Sequence, residues 1–146
     1  MTVEVKDAFT GIQSAWTSYS PAWTGATTNP VIGNGTIVGR YRQIGKSVDF
    51  RVVITMGSTT TYGSGQYAIS LPVTLHATGL QLALGEALIG GAAYRLHVRV
   101  SPTSATALLY CDPTTAGNSV RAVTNLVPGT FANTHSIIVE GRYEAA

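Results

Sequence analysis

From Ser47 to Met56 the chain alternates strictly: Val48, Phe50, Val52, Ile54 and Met56 take one phase, and Ser47, Asp49, Arg51 and Thr55 the other. A period of two marks a strand with one face buried. Gly45-Lys46 joins this run to a second extended stretch, Thr36 to Ile44, so the two predict a β-hairpin with a glycine-containing turn. The same period returns from Ala93 to Ser101, with Tyr94, Leu96, Val98 and Val100 inward and Arg95, His97 and Arg99 outward. It returns again from Ser136 to Tyr143, where Ile137, Val139 and Tyr143 share a face. Gln66 to Leu71 reads as a strand with Tyr67, Ile69 and Leu71 on one side, stopped by Pro72, and Ala105 to Cys111 and Val120 to Val127 as further strands.

Elsewhere the pattern is mixed. Between Gly79 and Gly91, Leu80, Leu82 and Leu84 alternate, while Leu80, Ala83, Leu84, Ala87 and Leu88 also fit a helical face. Gly79, Gly85, Gly90 and Gly91 cut the stretch into pieces too short for an ordinary helix, which favours strands. Ser18 to Thr24 sets Tyr19 and Trp23 on one side of an extended segment, with Pro21 restricting it to a sheet edge or a strand start. Asn29 to Thr36 carries turn chemistry at Gly33-Asn34-Gly35, and Asp112-Pro113 with Gly117-Asn118 predicts another turn. Gly57 to Gly65 (GSTTTYGSG) reads as a long polar loop, flexible by composition and exposed. Residues 1–15 read as an N-terminal arm in which Val3 and Val5 line one face of a short strand and Phe9, Ile12 and Trp16 a helical turn; residues 16–146 read as one domain. Short strands at even spacing between Gly, Pro, Asn and Thr turns predict an all-β fold, a jelly-roll-like antiparallel β-sandwich.

Composition adds a constraint on the surface. Charged residues make up only 11% of the 146, against about 25% in ordinary soluble domains, and Lys6 and Lys46 are the only lysines. Lysine commonly guards exposed sheet edges, so its scarcity predicts edges covered by contacts between copies of the chain. The net charge of +2 comes from arginines spread along the sequence, without the basic cluster and interleaved aromatics of a nucleic-acid footprint. Cys111 is single, so no disulfide forms within one chain. The opening MTVEVKDAFTGIQ has no apolar core run of the secretory kind, and GLQLALGEALIGG falls short of the roughly 20 residues of a spanning helix. The expectation is a cytosolic product with no membrane partner.

Candidate chemistry is sparse. Glu4, Asp7, Asp49, Glu86, Asp112, Glu140 and Glu144 form no evident buried pair of the kind a glycosidase needs. His76, His97 and His135 lack a second ligand at metal spacing, and no G-x-S-x-G, phosphate loop or dinucleotide motif occurs. We therefore expect no catalytic residue, no cofactor and no metal. Trp16, Tyr19, Trp23, Tyr41 and Tyr62 are of the type that stacks on sugars, although the simpler expectation is that both tryptophans anchor the core. The loop residues Thr59, Thr60, Thr61 and Tyr62 form the exposed binding candidate.

The run SYSPAWTGATTNPVIGNGTIVGRYRQIGKSVDFRVVITMGSTTTYGSG resembles a β-domain of virion proteins from tailed bacteriophages, especially those of actinobacteria, and the ending IIVEGRYEAA is similar to that domain's closing strand. The order PAWTGATTNP, IGNGT, GRYR, IGK carries the resemblance; Leu75 to Thr134 does not. It implies a jelly-roll-like sandwich, commonly trimeric, with structural or host-binding roles and no catalysis. Such domains often end minor tail proteins, following a long shaft. Here about fifteen residues precede the domain, which favours a trimeric capsid decoration protein on the virion surface. In that reading Val3, Val5, Phe9 and Ile12 dock on the major capsid protein. The alternative is a tail-tip module that recognises host cell-wall carbohydrate.

Overall fold

A computed structural model of the chain describes residues 15–77, 81–100, 105–113 and 119–146. The arm positions Val3, Val5, Phe9 and Ile12 lie outside the described residues, as do Leu80, the side chain of Leu82, and Gly117-Asn118. Every regular element among the described residues is a strand: β1 (Thr17–Tyr19), β2 (Trp23–Gly25), β3 (Thr36–Ile44), β4 (Ser47–Thr55), β5 (Tyr67–Ser70), β6 (Gln81–Ile89), β7 (Ala92–Val100), β8 (Thr106–Cys111), β9 (Arg121–Ala122) and β10 (Ser136–Glu144). All pairs are antiparallel.

The strands form one sheet in the order β1-β3-β4-β10-β6-β7-β8-β5-β2, with β9 beside β8. This order forces the sheet to curl. Strands β1 and β2 sit at opposite ends, yet only Ser20, Pro21 and Ala22 separate them. Laid flat, nine strands at the usual spacing would hold their outer members roughly 38 Å apart. The chain from Tyr19 to Trp23 reaches at most about 14 Å. The two ends therefore meet: Ala22 N–H donates to Ser70 Oγ at 2.7 Å, Ser70 N–H to the Ala22 carbonyl at 2.9 Å, and the Tyr19 hydroxyl to the Ser70 carbonyl at 3.3 Å. Where strand spacing alone leads to an expectation of two packed sheets, one sheet curls on itself around a single core.

The inner side carries the predicted phases. Val48, Phe50, Val52, Ile54 and Met56 are buried, as are Leu96, Val98 and Val100 of β7 and Ile137, Val139 and Tyr143 of β10. Tyr67, Ile69 and Leu71 join them, and Trp23 meets Tyr67 edge-on at 5.1 Å. Burying each large apolar side chain contributes roughly 1.5–3 kcal/mol before chain entropy is subtracted. The Tyr143 ring stands edge-on to Phe50; its hydroxyl donates to the Val73 carbonyl (2.8 Å) and accepts from Val73 N–H (3.2 Å). The final residues are tied down too, since Ala145 N–H donates to the Lys46 carbonyl and Ala146 N–H to that of Thr74.

Three expectations need revision. The glycine-rich stretch is a strand, β6, but its inner side is Ala83, Gly85, Ala87 and Ile89, while Leu84 and Leu88 face outward. Large side chains do not fit there: a Cβ on Gly85 would come within 2.5 Å of the Ile138 carbonyl, and one on Gly141 would collide with Ala83. The stretch from Val120 shrinks to the two-residue β9. Trp23 anchors the core, whereas Trp16 is 40% exposed on the outer side.

Candidate functional site

The hairpin register decides what the outer face displays. The two-residue turn pairs Ile44 with Ser47, and counting back from it sets Arg42 opposite Asp49, Arg40 opposite Arg51 and Val38 opposite Val53. Strand β10 continues these rows with Arg142 beside Asp49, Glu140 beside Arg51 and Ile138 beside Val53. Leu84 and Glu86 of β6 extend them past Glu140 and Ile138. Directly paired residues in antiparallel strands share a face, so these rows form one continuous surface.

Its electrostatics differ row by row. Asp49 is clamped from both sides: Arg142 Nε donates at 2.6 Å and Arg42 Nε at 2.9 Å. The Arg142 hydrogen bond, joined by Arg42, holds the Asp49 carboxyl below its ordinary range against a smaller opposing effect of burial. A carboxylate held ionised in this way is a structural counter-ion and a poor general acid. One row away the balance is reversed. Arg40 and Arg51 face each other, and like charges in direct cross-strand register oppose folding. Glu140 approaches Arg51 only to 3.9 Å, with both side chains more than half exposed, a geometry worth little. Arg40 has no carboxylate within ion-pair distance among the described residues.

Trp16 stands at the edge of this surface, with the Arg42 guanidinium over its ring at 5.5 Å. Trp16, Val38, Arg40, Arg51 and Val53 line a depression of about 430 Å³. A second depression, about 550 Å³, runs from Trp16 past Arg42 and Asp49 to Leu84, Glu140 and Arg142. The apolar members are open to solvent, Val38 being 51% and Leu84 63% exposed. Sequence reasoning expected Trp16 in the arm or the core and did not single out the Arg40/Arg51 pair. The register of the Gly45-Lys46 turn is the signal that would have found it.

The loop candidates are placed differently from the expectation of a flexible tip. Thr61 exchanges both backbone hydrogen bonds with Val31, and Ser64 pairs with Thr28, so Gly57–Gly65 is zipped to the turn before β3. Thr59 is exposed, but its hydroxyl and backbone N–H donate to Asn34 Oδ1. Thr60 is buried; its hydroxyl accepts from Gly57 N–H at 2.8 Å and donates to the Ile32 carbonyl. Tyr62 packs against the core and its carbonyl accepts from the Tyr67 hydroxyl. Of the four, Thr59 and Thr61 present side chains to solvent.

Other polar chemistry is scattered. His97 contacts the Asp112 carboxylate at 2.5 Å, and Arg99 lies over the Tyr110 ring, both on the outer face of β7 and β8. No group of three His, Cys, Asp or Glu side chains comes together among the described residues. Cys111 is buried, and burial pushes its thiol pKa up, away from the thiolate that reacts. Burial also raises the phenol of Tyr143, to about 12.

No protein-family model matches the chain, and no curated protein matches it. In fold it is similar to part of the Dettilon tailspike protein (gp208), known from its crystal structure, with a TM-score of 0.65 and 16% sequence identity. The likeness covers 90% of this chain and 24% of that one, so the chain spans about a quarter of the tailspike's length. At this identity the two share a fold.

Proposed function

We propose that this chain is a structural module of a tailed-bacteriophage virion, built into the tail and exposed on the particle surface. The observation that carries the reading is the fold shared with a tailspike segment over 90% of the chain. The resemblance of Ser18–Gly65 and of the closing strand to virion β-domains supports it from the sequence side. The module holds position through its fold and its contacts, not through a reaction, in keeping with an outer face on which the Asp49 carboxylate is neutralised by two arginines.

Three copies associate in this reading. A chain with 11% charged residues that leaves Leu84 and Leu88 exposed on β6 gains by covering them. Native mass spectrometry of the purified chain tests this directly, with a trimer expected and a stable monomer contradicting it.

The tail reading competes with the capsid decoration role that the sequence favours, in which the partner is the major capsid protein. Particles separated into heads and tails and probed with antibody to the chain decide between them. We expect signal on tails at low copy number. Signal on heads, on the order of hundreds of copies, would restore the decoration role, and absence from both fractions would remove the virion assignment altogether.

A further inference from the structure

We infer that the depression formed by Trp16, Val38, Arg40, Arg51 and Val53 binds a sugar unit bearing a carboxylate, a uronic acid within an acidic saccharide. The inference concerns the purified chain and needs no particular placement in a virion.

Each part of the depression matches one part of such a ligand. Arg40 and Arg51 are forced into direct opposition by the hairpin register, and Arg40 has no carboxylate partner among the described residues. An anion set between them turns a cross-strand repulsion into two charge-assisted contacts. Guanidinium is the group best suited to the task, because its planar fork of donors matches the two oxygens of a carboxylate. In the adjoining row Val38 and Val53 are paired and apolar, and Trp16 supplies an aromatic surface. A pyranose ring has an apolar C–H face that packs on such a wall, whereas a bare anion leaves it unused. The volume of about 430 Å³ lies in the range of small-ligand sites, with room for one or two sugar rings. Glu140, near Arg51, opposes a second negative group on the β10 side and thereby limits the charge the site accepts.

The test is isothermal titration of the full chain at low ionic strength with trigalacturonate, its carboxyl methyl ester and inorganic phosphate. The acid binds, and the ester, which keeps the rings but loses the charge, binds at least about tenfold more weakly. Arg40→Gln and Trp16→Ala each weaken the acid by about tenfold, the loss expected for one charge-assisted contact or one stacked ring. Arg95→Gln, on the same outer face three strands beyond β4, leaves the affinity unchanged. Trp16 and Arg40 are exposed, so the variants retain the fold, which an unchanged far-ultraviolet dichroism spectrum verifies. No binding of trigalacturonate, equal binding of the ester, displacement by phosphate at equal concentration, or indifference to Arg40→Gln would each overturn the inference. None of these outcomes bears on whether the chain resides in heads or tails.

Discussion

Closure of the sheet rests on the three residues that cross from β1 to β2, and Gly39 is where that crossing touches the sheet. Replacing Gly39 with Ala places a Cβ against the Pro21 ring and within 2.7 Å of Tyr19 Cε1. Neither neighbour is the end of a flexible chain. Pro21 is buried and locked by its ring, and Tyr19 is held by the Tyr41 ring at 5.8 Å and by its hydrogen bond to Ser70. The crossing must lift, loosening the contacts of Ala22 with Ser70. Overpacking of this kind costs about 1–3 kcal/mol, and the number of atoms displaced places Gly39→Ala near 2. With a urea slope of about 2 kcal/mol/M for a domain of this size, the unfolding midpoint falls by about 1 M. Trp23 in a Trp16→Phe background reports the transition, at one fixed protein concentration so that any association weighs equally on each variant. Gly45→Ala is the control: it meets no atom within 4 Å and sits at φ +59, so it costs only backbone strain, about 1 kcal/mol. The decisive measurement is the pair Gly39→Ala with Pro21→Ala, where removing the proline Cγ and Cδ relieves part of the loss. An unchanged midpoint for Gly39→Ala, or strict additivity with Pro21→Ala, would refute the account of how the sheet closes.

Two further changes probe other parts of the structure. Asp49→Asn removes the anion from between Arg42 and Arg142 and lowers stability at pH 7 by about 1 kcal/mol, the scale of a well-formed but accessible pair. Because folding lowers the Asp49 pKa, the native carboxylate contributes above the unfolded value and its contribution fades as pH falls through the folded one. Thermal unfolding of the two proteins should therefore differ at pH 7 and converge in strong acid; a gap that persists there would contradict the clamp. Thr60→Val deletes a buried hydroxyl that serves both Gly57 N–H and the Ile32 carbonyl, and costs about 1–3 kcal/mol. Hydrogen exchange at the Gly57 amide should accelerate more than at Val52; equal protection would mean that the loop is held by its backbone pairing alone.

The strands that could be read from the sequence are those whose two faces meet different surroundings. In β4, β7 and β10 one phase is buried and the other meets water, so apolar and polar residues separate and period two is visible. Strand β6 hides its inner side because the residues that fit there are small. Ala83, Gly85 and Ala87 face the core, and the leucines, ranked first by hydrophobicity, do not. Strand order was equally hidden. Nothing local in β10 says that the last strand inserts between β4 and β6. The threonine loop misled for a related reason, since composition records polar side chains but not the chain segment they bond to. Arg40 opposite Arg51 and Arg42 opposite Asp49 were within reach, because a two-residue turn fixes the register on both sides.

The hidden inner face and the exposed outer one have a common origin. A sheet curled tightly enough for three residues to join its ends has less room inside than outside, and the glycines at 85 and 141 mark where β6 and β10 are most crowded. Large apolar side chains of β6 that do not fit within face outward instead, and Leu84 and Leu88 stand in the open opposite Glu140 and Ser136 of β10. On the same face the β3–β4 register brings Arg40 against Arg51. Exposed leucines and opposed arginines are both unfavourable for an isolated chain. Each would be relieved by contact, the leucines by an apolar neighbour and the arginines by an anion, and this shared imbalance is the physical basis of both proposals made for the outer face.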